Sequence, residues 1–170
     1  MLNDGHFLFL GLGFLLLETR SIADCSLYFG TTWFVTMVVV AGVLLMVLAA
    51  NLVAMREGVY ELDVRSADAS LLIVSWVGRD EILALGFEQR LLWSLLVIPL
   101  PIFFAGLIFS TTFRESRSTA ALFGANLIGA MIGGFCEYLD MKTGNNMLMV
   151  IVIAAYLMSL VCRVRYARLL

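Results

Sequence analysis

The chain has 170 residues, a net charge of −2, 62% hydrophobic and 14% charged residues, and a mean hydropathy of +0.98. Soluble domains carry about 45–50% apolar and about 25% charged residues, and a chain of this size buries only roughly 70% of its surface on folding. That balance excludes a water-soluble globular domain, and the lack of a clustered basic face argues for no nucleic-acid partner.

In chain order, the first apolar run, Phe7 to Leu17, is interrupted by Glu18, Thr19 and Arg20. Asp4 stands where a cleavable signal peptide would carry basic residues. Continued through "SIADCSLYFG", the run makes a first span over residues 5–29 with charges on board. Arg20 and Asp24 are four residues apart and can neutralise each other. Glu18 points elsewhere and needs a partner on another helix, for which Asn51 and Asn126 are the candidates. The uncharged run "WFVTMVVVAGVLLMVLAANLVAM" is the second span, 33–55, since about 20 apolar residues cross ~30 Å of hydrocarbon. Residues 56–90 follow as a charged extramembrane loop. Within it "ASLLIVSWVG", 69–78, is too short to cross and reads as an interfacial piece with Trp76 at headgroup level.

The third span is "LLWSLLVIPLPIFFAGLIFSTTF", 91–113, kinked at Pro99 and Pro101, with the freed carbonyls to be satisfied by neighbouring helices. A fourth covers 119–139 and a shorter fifth 146–162, closed by "RVRYAR". The expectation is an all-α, polytopic transmembrane helix bundle of about five spans forming one domain. Arg163, Arg165 and Arg168 hug the last span, which favours a cytoplasmic carboxyl terminus.

The fourth span raises the sharpest question. In "ALFGANLIGAMIGGFCEYLD", Ala121, Ala125, Gly129 and Gly133 recur every four residues, and Ala130 and Gly134 widen the stripe. Small residues in this pattern let two helices approach closely in lipid. Asn126 then reads as a hydrogen bond across that contact, and Glu137 as a group near the headgroups. The competing reading makes Glu137 or Glu18 a proton or coupling carboxylate, because an ionisable group within a bilayer usually has a task.

His6 is the single histidine; it reads as interfacial, and no carboxylate cluster with ligand spacing accompanies it. Cys25, Cys136 and Cys162 form no C-x-x-C pair and read as small apolar packing residues. No phosphate-binding loop, G-x-S-x-G elbow or H-E-x-x-H motif occurs, so no catalytic residue, metal site or cofactor is expected.

"FLGLGFLLLETRSIADCSLYFGTTWFVTMVVVAGVLLMVLAAN", Phe9 to Asn51, resembles the carboxyl-terminal membrane region of bacterial spermidine synthase-like membrane proteins. There a G-x-G-F-x-L-L-E-T-[KR] helix leads into L-x-F-G-x-T-W and a long apolar span. "PIFFAGLIFSTTF" and "FGANLIGAMIGGFCEYL" are similar to later pieces of the same region, while Met55 to Arg90 matches poorly. The resemblance implies a bacterial inner membrane and a role in helix packing for Glu18, Thr19, Arg20, Asn126, Gly133, Gly134 and Glu137. The soluble aminopropyltransferase-like domain, with its glycine-rich loop, has no counterpart in these residues.

The function expected is a non-catalytic membrane subunit packed against other membrane protein subunits and lipids. The alternatives are a transporter or channel component using Glu18 or Glu137, and the membrane part of an enzyme whose soluble half is a separate chain.

Overall fold

The computed structural model describes residues 2–55, 79–114, 119–139, 142 and 145–167, and among them there is no strand. The helices are α1 (Leu2–Phe29), α2 (Trp33–Ala54), α3 (Arg79–Ala84), α4 (Phe87–Leu96), α5 (Leu100–Arg114), α6 (Thr119–Glu137) and α7 (Asn145–Ala167). Four stretches are long and apolar enough to cross a membrane: Asp4–Phe29, Trp33–Ala54, Phe87–Arg114 and Thr119–Glu137. Met147–Arg163 is a shorter apolar helix, so the chain is a helical bundle of about five spans, as its hydropathy predicts.

α1 runs unbroken past Arg20, Ser21, Asp24 and Ser26, which find partners on the same helix. Arg20 Nε lies 3.3 Å from Asp24 Oδ2, the pairing expected from their spacing. Ser21 and Ser26 donate to the carbonyls of Leu17 and Ile22, each at 2.7 Å. The helix stops at Gly30, whose φ of +83° suits a residue without a Cβ, and whose N–H reaches the Ser26 carbonyl at 2.9 Å.

The third span is two helices joined by a turn at 97–99. Pro99 has no N–H, so the Leu95 carbonyl loses its donor four residues on. That oxygen faces Gly42 of α2, where a Cβ would come within 3.0 Å of it and 3.2 Å of Pro99 Cγ. The break is therefore backed by a glycine of the adjoining helix rather than by a cavity.

α1 is the central helix, packed most extensively against α6 and α7, while α2 packs mainly on α5. Leu10, Leu16, Val35, Ile102, Val152 and Tyr156 are buried in the shared core. The contacts fix helix directions. Gly129 and Gly133 meet Leu8 and Leu12, so α1 and α6 are parallel. Gly5 meets Cys162 and Gly13 meets Tyr156, so α7 is antiparallel to both.

Along α2, Gly42 faces Leu95, Ala50 faces Gly106, and the Ala54 carbonyl accepts from Arg114 at 3.1 Å. The second span and the Phe87–Arg114 span thus run in the same direction. One end of the bundle, the near end, holds Leu2, Ala54, Arg114, Thr119 and Ala167. The far end holds Phe29, Trp33, Phe87 and Glu137, with the Phe29 and Phe87 rings edge-to-face at 5.9 Å. Residues 56–78, with "ASLLIVSWVG", lie outside the described residues. The described residues that flank them, Ala54 and Phe87, stand at opposite ends of the bundle.

Candidate functional site

Gly129 and Gly133 of the small-residue stripe of α6 are buried against α1 of this chain. A Cβ on Gly129 would sit inside the carbonyl oxygen of Leu8, and one on Gly133 would lie 3.0 Å from the carbonyl of Leu12. Gly134 is in ordinary reach of Leu15 Cδ2, at 3.5 Å. From the other side, a Cβ on Gly11 would meet the Asn126 backbone and come within 2.8 Å of its Oδ1. The two helices are notched into each other, with glycine supplied by both. Gly124 has nothing within 4 Å and lies on the open side of α6.

Beside this seam, α1, α2, α5 and α6 enclose a cleft of about 260 Å³. Phe14, Phe109 and Phe123 supply aromatic wall, and Asn51, Ser110 and Asn126 supply the polar groups. Ser110 Oγ donates to Asn51 Oδ1. The Asn126 side chain makes no hydrogen bond with a described residue, which corrects its expected role as glue between helices. The reason is local: the residue of α1 opposite it is Gly11, which has no side chain to offer, and the carboxamide oxygen lies against that glycine at the edge of the cleft.

All three polar residues lie close to the near end. At 1.5 Å rise per residue, Asn51, Ser110 and Asn126 are roughly 5–10 Å inside the ends of their helices. A mostly apolar pocket with a few convergent polar groups is the usual form of a small-ligand site.

Glu18 is placed differently from the expectation. It is half-buried and has no hydrogen bond or ion pair with a described residue. Neither asparagine meets it, because Asn51 is taken by Ser110 and Asn126 is level with Gly11, roughly 10 Å back along α1. Glu18 therefore stands roughly 24 Å from the start of its helix and roughly 16 Å from its end, inside the membrane span. Glu137, the last residue of α6, is exposed at the far end, in agreement with a headgroup position.

His6 faces the protein interior and not the headgroups. It is fully buried between α1 and α7, with Nδ1 2.7 Å from Ser159 Oγ and 3.1 Å from the Ser159 carbonyl oxygen. The three cysteines are free thiols, Cys25 buried and Cys162 packed on Gly5. Among the described residues no three His, Cys, Asp or Glu side chains gather as metal ligands would.

Sequence reasoning missed Arg90. Its Nη1 donates to the Tyr28 carbonyl, and its Nη2 to the carbonyls of Leu83 and Leu85, all at 3.0 Å. One guanidinium thereby holds the end of α1 to the end of α3, a cation at two helix carboxyl termini. The available signal was an arginine opening an apolar run; which carbonyls it would reach depends on packing. Arg90→Met is expected to cost about 2 kcal/mol, the worth of charge-assisted bonds lost at a half-buried position. Thermal unfolding in detergent checks this, and a melting temperature equal to wild type would mean the clamp contributes nothing.

Searches for this chain among protein-family models, curated proteins and solved structures return no match.

Proposed function

We propose that the chain is a non-catalytic integral membrane subunit that packs against another membrane protein along the Glu18 face of α1. The observation that carries this reading is Glu18 itself. A carboxylate turned to lipid at this depth costs about 3 kcal/mol, so a group outside the described residues meets it, and a polar or basic side chain of a neighbouring protein fits that need. The resemblance to the membrane region of spermidine synthase-like proteins agrees: these residues correspond to the membrane module, and any aminopropyl-transfer chemistry would belong to residues other than these.

Photocrosslinking from Thr19, the half-buried neighbour of Glu18, tests the reading in native membranes. The expected product is heavier than the 18.8 kDa chain and weakens in Glu18→Gln. Crosslinks only to the chain's own residues 56–78 would sink the proposal. In the transporter alternative Glu18 is the coupling carboxylate, and Glu18→Gln would stop proton-linked uptake in proteoliposomes without any crosslinked partner.

The helix directions also support an orientation. Arg114 and Arg163 lie at the near end, with Arg117 between α5 and α6, Arg165 and Arg168 after the last span, and Arg56 after Met55. Arg79, Arg90 and Lys142 belong to the far end. The positive-inside rule then makes the near end, with both Leu2 and Ala167, cytoplasmic in a bacterial-type inner membrane.

A further inference from the structure

We propose that the near-end cleft is a binding site for one anionic glycerophospholipid. Its acyl chain lies against Phe14, Phe109 and Phe123, its ester carbonyls face Asn51 and Asn126, and its phosphate sits at Arg114. The site is independent of whatever covers Glu18, which lies farther along α1.

Three observations converge on this occupant. The first is hydrogen-bond polarity. Asn51 Oδ1 already accepts from Ser110, which leaves its amide N–H groups to donate, and the Asn126 carboxamide has no described partner. Asn51 thus offers N–H donors to the cleft, Asn126 adds a carboxamide able to donate, and an ester carbonyl is an acceptor that brings no donor needing a partner of its own. The second is depth. The polar groups lie roughly 5–10 Å inside the helix ends, at the boundary between headgroup and acyl region, with aromatic wall beside them. The third is charge. Arg114 is one helical turn beyond Ser110, and its Nη1 bond to the Ala54 carbonyl, at 3.1 Å, holds the guanidinium over the end of α2, just past Asn51. A cation fixed at the helix ends stands at phosphate level and favours an anionic headgroup. A cleft of about 260 Å³ takes the upper part of one chain and not a whole drug-sized molecule.

The test uses the full chain in mild detergent, incubated with an equimolar mixture of phosphatidylglycerol and phosphatidylethanolamine, with retained lipid counted by native mass spectrometry. The expected result is one retained phosphatidylglycerol. Arg114→Gln is expected to lower the phosphatidylglycerol-to-phosphatidylethanolamine ratio about fivefold, the effect of one basic residue at an anionic surface. Ser110→Phe, which fills the cleft, is expected to abolish retention. Phe123→Ala, at an exposed part of the wall, is expected to weaken it without touching the helix seam, which keeps the test valid where Ser110→Phe does not fold. The proposal is overturned if the wild-type chain retains detergent alone, if it retains a neutral molecule such as a prenyl quinone, or if all variants retain phosphatidylglycerol at the wild-type ratio.

Discussion

Gly129→Ala is expected to destabilise the bundle by about 3 kcal/mol, while Gly124→Ala, five residues earlier on the same helix, leaves it unchanged. The added atom is the same, a single methyl. At Gly129 it would overlap the carbonyl oxygen of Leu8, a backbone atom that cannot rotate away, so α1 and α6 must separate. Overpacking of this kind costs typically 1–3 kcal/mol and more where backbone must move, so about 3 kcal/mol is the reasonable figure. The loss spreads because α1 is central: moving it off α6 also disturbs its contact with α7, where Gly13 lies 3.1 Å from the Tyr156 ring by the same Cβ measure. At Gly124 the methyl enters open space and improves helix propensity. Fluorescence-monitored unfolding of the two variants in one detergent decides it. Equal stabilities would mean that the glycine notch does not hold this seam, and loss of a partner with the fold intact would return the stripe to an intermolecular role.

Cysteines placed at Met55 and at Glu88 are expected to label from opposite sides of the membrane, an all-or-none difference. Both positions are exposed, Met55 at 74%, so access does not limit the reaction. The expectation rests on the parallel register of α2 with α5, fixed by Asn51 with Ser110 and by Ala54 with Arg114. In the proposed orientation a cysteine at Met55 reacts with an impermeant maleimide in inverted vesicles and one at Glu88 in right-side-out vesicles, and in the opposite orientation the two vesicle preparations exchange. Cys25, Cys136 and Cys162 are first replaced by alanine. Labelling of both positions from one side would invalidate the parallel register.

Much of this architecture is local and therefore legible. The unbroken apolar runs mark their own spans, because a bilayer asks of each segment separately that about 20 residues be apolar. The Arg20–Asp24 pair is readable for the same reason, being set by a four-residue spacing on one helix. Pro99 likewise announces the turn at 97–99 through its missing N–H.

What failed was relational. His6 looks interfacial by its place near the start of the chain, and only α7 laid antiparallel to α1 brings Ser159 over it and buries it. Asn126 looks like glue until Gly11 is found opposite, with no side chain to bond. Arg90 has no distinguishing neighbours in sequence, yet it gathers carbonyls from two helices.

The amino-acid sequence by itself determined that this protein lives in a membrane as a helix bundle, and that α6 would press a small-residue face against another backbone. Only the tertiary structure decided that the other backbone is α1 of the same chain, that the second span and Phe87–Arg114 run in the same direction, and that Asn51, Ser110 and Asn126 share one cleft while Glu18 bonds to none of the described residues. The physical reason is range. Hydropathy and helix periodicity act over one turn or one span, whereas direction, register and polar pairing are set by which helices meet, through contacts far apart along the chain.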